Sequence, residues 1–272
     1  MRSSPRPAVL VAALLVAALT NLTAQEPVDT SCDNAITHGV AAFKDARYEA
    51  AVQHFKAAAA FDPTSAKARL YLGTVYAYLV VPNLDTPANL AMAKNAIDTL
   101  SQVPGSSEEH HAALKQIASV HFNVKRLGEA KETELEVLRY DPADAEAHYT
   151  IGVIDWMKAY QNAIRVLANE ELKDDGIGNV KLNTSACLDL SSQNSALIRD
   201  SIDHLTRAIE LNPDYDNAMQ YLNLAYRRHA DLACGDDTKR SEDLALAAQW
   251  GQKALAARKR NEEARVSGQI HE

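Results

Sequence analysis

The side chains capable of chemistry fall into few groupings in this sequence. Glu108-Glu109-His110-His111 is the densest run of metal-ligating types, and a transition ion would need three or four such ligands converging on one point. Neighbouring residues on a helix point in different directions, so the run reads as the acidic opening of a helix, where Glu complements the positive end of the dipole. His121 and His148 fall at helical positions and read as packing or groove residues. There is no His-Glu-x-x-His, no Gly-x-Ser-x-Gly, no phosphate-cradling glycine loop and no Cys-x-x-Cys. No catalytic residue, metal or cofactor is therefore assigned, and the expectation is a protein that is not an enzyme.

Composition narrows the partners. The 272 residues carry 28 Lys+Arg against 36 Asp+Glu, a formal charge of −8, and no basic block of the kind that neutralises phosphates. Arg258-Lys259-Arg260 is answered at once by Glu262 and Glu263, which reads as the solvated end of a helix; no nucleic-acid partner is expected. Aromatics make up only 6% and there are 10 Gly and 9 Pro, a balance that suits helices with small residues at their contacts. Three cysteines exclude a disulfide-dense scaffold.

Arg2 and Arg6 precede an unbroken apolar run, Ala8 to Leu19. A run of that length falls short of the roughly 20 apolar residues a spanning helix needs and reads as a secretory signal, residues 1–24, cut near Ala24. Its removal takes the formal charge from −8 to −10 and leaves no stable membrane span. The expectation is an exported protein, periplasmic or secreted, with a short linker at 25–31.

The elements behind these residues repeat. Phe61-Asp62-Pro63, Tyr140-Asp141-Pro142 and Leu211-Asn212-Pro213 each close a helical pattern that proline cannot continue. Gly39 to Pro63 and Ala118 to Pro142 both span 24 residues, and Pro63 to Gly73 and Pro142 to Gly152 both span 10. Tyr48, Ala51, Phe55 and Ala58 form one apolar stripe, and Leu72-Gly73 followed by Tyr76 sets a small residue where a partner helix crosses. Ser201, Leu205 and Ala208 repeat the tail of that stripe.

With these landmarks the chain resembles the tetratricopeptide repeat (TPR) family over residues 32–257, in five units of about 32–65, 66–106, 111–144, 145–215 and 216–257, followed by a polar tail at 258–272. The resemblance implies an all-α, right-handed solenoid. Asn223 takes the small-residue slot of unit five. The excess residues in units two, four and five fall between the two helices of a unit, so they are expected on one edge. That edge would hold Cys187 and Cys234, which leaves open a bridge between them or two buried thiols, with Cys32 free or paired to another chain.

The family also implies a function. Its concave groove is lined by the first helix of each unit, which by position gives Phe43, Lys44, Tyr78, Lys115, Phe122, Asn123, Tyr149, Trp156, Gln220, Arg227 and Arg228 as residues contacting a protein or peptide partner. Tyr149, Trp156 and Phe122 would anchor, and Lys115, Arg227 and Arg228 would select. The Asn/Lys pattern with which some members clamp a C-terminal carboxylate is not reproduced. Two other readings stay open: an envelope component that self-associates, and an accessory subunit with a small-molecule site in the 162–197 insertion. Oligomeric state is unassigned.

Overall fold

The computed structural model describes residues 27–268. The expected signal segment, 1–24, lies outside the described residues, as do 269–272. Among the described residues there are ten α-helices and no strand: α1 (Cys32–Lys44), α2 (Tyr48–Phe61), α3 (Ala66–Tyr78), α4 (Pro87–Leu100), α5 (Glu109–Asn123), α6 (Leu127–Tyr140), α7 (Ala145–Asn169), α8 (Thr184–Leu211), α9 (Asp216–Ala230) and α10 (Asp237–Val266). Successive helices pair as hairpins, and each second helix packs on the first helix of the next pair, giving an α-solenoid of TPR-like units. No helix among the described residues is long and apolar enough to cross a membrane.

The three proline tripeptides are one turn used three times. Asp62, Asp141 and Asn212 end α2, α6 and α8 with φ/ψ of −134°/93°, −132°/91° and −133°/92°. Each side chain accepts a hydrogen bond from the N–H two residues on, at 2.9, 2.9 and 3.2 Å, and the intervening proline stops the helix. Ser65 and Asp144 then cap the helices that follow, accepting from Ala68 and Ala147.

Within a hairpin the helices cross where a side chain is missing. A Cβ on Gly39 would stand 2.5 Å from the Phe55 ring, and one on Gly152 would stand 2.7 Å from Leu205 Cγ. Unit three manages the crossing with Ala118, fully buried. Unit five moves the gap to its other helix: Asn223 on α9 faces Gly251 on α10 and donates to the Ala247 carbonyl.

The excess residues are built in. α7 and α8 run 25 and 28 residues, against 13 to 15 for α1 to α6, and their extra turns pack Ala159, Ala163 and Val166 on Leu190 and Ile198. The 170–183 loop folds onto the 231–236 loop, where Cys187 and Cys234 are joined in a disulfide. Cys32 carries none and is half-buried. The loop of unit two runs from the end of α3 to the end of α5: Asn89, buried, binds the Val81 and Leu84 carbonyls, and the Asn83 N–H donates to Asn123 O. The insertions of units four and five thus meet, while that of unit two fastens to unit three. At the C-terminus, α10 continues as helix through Arg258–Val266, with Arg258 and Arg260 paired to Asp216 and Asp214.

The segment ahead of α1 is tied down by Asp29, whose carboxylate oxygens lie 2.8 and 2.7 Å from Nδ1 of His38 and of His54. Burial opposes its charge, but the two imidazoles outweigh that and lower its pKa.

Candidate functional site

The first helices of neighbouring units touch directly at α1/α3, α3/α5 and α7/α9, whereas α5 and α7 pack less closely. The gap they leave is a cavity of about 310 Å³. From α5 come Lys115, Gln116, Ser119 and Phe122, and from α7 Glu146, Tyr149, Thr150 and Val153. α6 contributes Glu134, and α9 contributes Tyr221.

Its aromatic wall is continuous. Tyr149 packs on Tyr215 at 4.9 Å and edge-on to Tyr221 at 5.8 Å. Trp156 meets Tyr221 edge-on at 5.3 Å and stacks on Tyr160 at 5.4 Å. Trp156 Nε1 is buried without a hydrogen-bond partner. The polar wall is acidic: Lys115 Nζ lies 2.8 Å from both Asp144 and Glu146. Burial works against ionisation of Asp144, but Lys115 and the Ala147 N–H it caps outweigh that and hold its pKa down.

Glu134 is the residue that sequence reasoning missed. It is 5% exposed, its Oε2 has no hydrogen-bond partner, and burial, reinforced by Asp144 and Glu146, pushes its pKa up to about 8. Its position explains why this matters. Phe55, Glu134 and Leu205 each stand eight residues before the proline of their turn, and Tyr71, Thr150 and Tyr221 each stand eight after it. Phe55 stacks on Tyr71 at 5.4 Å, an apolar seam between units. In unit three the same two places hold Glu134 and Thr150. An acidic residue in the Ala130–Glu134–Val137 stripe was the available signal.

The positions taken from the resemblance are dispersed. Lys115, Phe122 and Tyr149 line the cavity, and Trp156 borders it through Tyr221. Phe43 and Tyr78 form a separate aromatic cluster with Tyr48, ring centroids 5.0 to 5.5 Å apart, and Lys44 is exposed beside it. Asn123 holds the unit-two loop through its carbonyl, and Gln220 is half-buried on α9 outside the cavity lining.

Arg228 requires a correction, because the unit-four loop covers it. Arg228 is 4% exposed, with Asp174 Oδ1 at 2.8 Å and Asp231 Oδ2 at 3.0 Å; Arg227 donates to the Gly176 carbonyl at 2.9 Å. A buried guanidinium locked to two carboxylates offers nothing to a partner, so Arg228 leaves the groove set, while Arg227 is half-buried and tied to the loop by that one bond. The 108–111 run also disperses: His110 approaches the Val103 carbonyl and the Tyr140 ring, while His111 turns to Asp144 at 3.8 Å. His148 and His204 contact each other at 2.9 Å, as packing residues.

Comparison with known proteins agrees with the fold. Residues 158–271, less than half of the chain, match the family model of the plant-specific mitochondrial import receptor subunit TOM20. No protein of curated function matches in sequence. Among solved structures, MamA is similar with a TM-score of 0.53 at 15% identity, covering 83% of this chain and 96% of that one. MamA (residue 41 to end) from Desulfovibrio magneticus RS-1 gives 0.54 at 15% identity, covering 86% and 98%. YrrB, described as a TPR protein with an unusual peptide-binding site, gives 0.50 at 16% identity, covering 84% and 92%. At these identities the likeness establishes the TPR-like fold alone.

Proposed function

We propose that this protein is a non-enzymatic interaction module that takes an extended segment of a partner protein into the cleft between α5 and α7. The observation that carries the reading is the parting of these two helices to expose Phe122, Tyr149 and Tyr221 around a cavity of about 310 Å³. Tyrosine and tryptophan anchors in a partly desolvated groove are the usual source of affinity at peptide interfaces. The matched family model, a receptor subunit, and YrrB's peptide-binding site support a recognition role. We place the protein outside the cytoplasm, supported by the apolar leader and by the Cys187–Cys234 bridge, which an oxidising compartment sustains.

The test is selection of a random-peptide phage library on the purified protein, followed by titration of the enriched peptides against variants of unchanged helicity. Tyr149→Ala and Phe122→Ala should each weaken binding by more than ~1 kcal/mol, and Phe43→Ala, in the separate N-terminal cluster, should not. An empty selection, or peptides indifferent to Tyr149 and Phe122, removes the cleft as the site.

A further inference from the structure

Resting on that reading, we propose that the cleft is selective for a basic side chain: a lysine or arginine of the bound segment enters between Phe122, Tyr149 and Tyr221 and places its cationic head on Glu134.

Three observations lead there. First, the repeat replaces an apolar seam with a carboxyl group. Where unit one buries Phe55 against Tyr71, unit three buries Glu134 against Thr150, and Glu134 Oε2 is left without a partner in the cavity wall. A buried polar atom left unpaired destabilises the fold, and a repeat that fills this place with Phe55 and Leu205 elsewhere has apolar solutions to hand.

Second, the charges facing Glu134 favour a cation. α5 presents Lys115, and α7 with its cap presents Thr150, Glu146 and Asp144. Tyr221 faces in from α9. On α6 itself Lys131 turns away, both Asp155 carboxylate oxygens lying 2.7 to 2.8 Å from its Nζ. Lys115 is already held by Asp144 and Glu146, so a single ammonium faces three carboxyl groups. A second cation offsets that excess, whereas an acidic segment would add to it.

Third, the walls suit a basic side chain along its length. The aliphatic stem of lysine or arginine packs on aromatic faces while its head is drawn to their π-clouds. The cavity, about 310 Å³, has room for one long side chain.

Proton linkage supplies a readout that simple packing would not move. Glu134 holds its proton up to about pH 8 in the free protein, and an arriving cation favours the carboxylate, so binding releases a proton. Affinity for a lysine-bearing peptide should rise with pH, by up to ~10-fold per unit, and level off above about 8.

The probes are the peptides enriched by phage selection, resynthesised with the basic residue as lysine, acetyl-lysine or norleucine. On the wild-type protein at pH 8, acetyl-lysine should lose ~10-fold or more, and calorimetry at pH 7 in buffers of different ionisation enthalpy should show proton release for the lysine peptide only. Glu134→Gln should erase both the lysine preference and the pH slope. Cleft-dependent peptides that bind equally well with acetyl-lysine, release no proton, or keep their lysine preference in Glu134→Gln overturn the proposal while leaving the cleft as the site. Peptides that ignore Tyr149→Ala, or an empty selection, remove the cleft and the proposal together. The proton-release measurement needs only the wild-type chain, so an unstable Glu134→Gln still leaves a decision.

Discussion

Arg228 Nη2 donates to Asp174 Oδ1 at 2.8 Å, joining two residues 54 apart in sequence and closing the unit-four loop over the end of α9. Burial opposes the ionisation of Asp174, but Arg228 and the Gly176 N–H outweigh it and hold its pKa below the ordinary value. The same arginine neutralises Asp231, whose burial pushes its pKa up to about 7.

Breaking this contact is costly because it strands a buried charge. Arg228→Ala should destabilise the protein by ~3–5 kcal/mol in chemical denaturation. A cost under 1 kcal/mol would mean that the guanidinium is not committed to the loop.

The disulfide beside it ties the first turn of α8 to the loop after α9. Replacing Cys187 and Cys234 together by Ser removes a cross-link spanning 47 residues, which the loop-entropy relation values at ~3–4 kcal/mol. Thermal unfolding of oxidised protein should then occur at higher temperature than that of the double variant, and a reductant should narrow the gap.

Gly152 sits at a close approach of α7 to α8. The new methyl of Gly152→Ala would meet Leu205 Cγ at 2.7 Å and the Ser201 carbonyl, a backbone atom, at 3.1 Å, so a loss of ~1–3 kcal/mol is expected. Gly128→Ala meets nothing within 4 Å and should be neutral or slightly stabilising, which makes it the matched control for the same denaturation curves.

Glu134 gives stability a pH dependence of definite sign. Its pKa is about 8 in the folded protein against 4.5 for the free side chain, so between those values the folded state holds a proton that the unfolded chain has lost. Its contribution is fully present below about pH 4.5, declines as pH rises, and is gone above about 8. The melting temperature of the wild type, measured relative to Glu134→Gln, should therefore fall from pH 5 to pH 8. A flat difference would show that Glu134 titrates normally.

Local signals carried the architecture. Proline after Asp62, Asp141 and Asn212, the capping oxygens of Ser65 and Asp144 after the first two, and a small residue at each hairpin crossing are short-range constraints that hold whatever surrounds them. The solenoid and its insertions could be read directly from their spacing. Aromatic residues on the first helices, Phe122, Tyr149 and Trp156, were legible for the same reason, since helical periodicity decides which face a residue occupies.

What faces that surface was settled only by the tertiary structure. Arg228 lies on the α9 face that the resemblance assigns to the groove, yet a loop more than 50 residues earlier in the chain folds back and buries it. The cleft depends on how far α5 and α7 stand apart, which no spacing within either helix encodes. Glu134 lies in plain view on an apolar stripe, but its protonation follows from the burial and the neighbouring carboxylates that α5 and α7 bring to it. Short-range sequence fixes which way a side chain leaves its helix, while its charge state and accessibility come from segments that are distant along the chain.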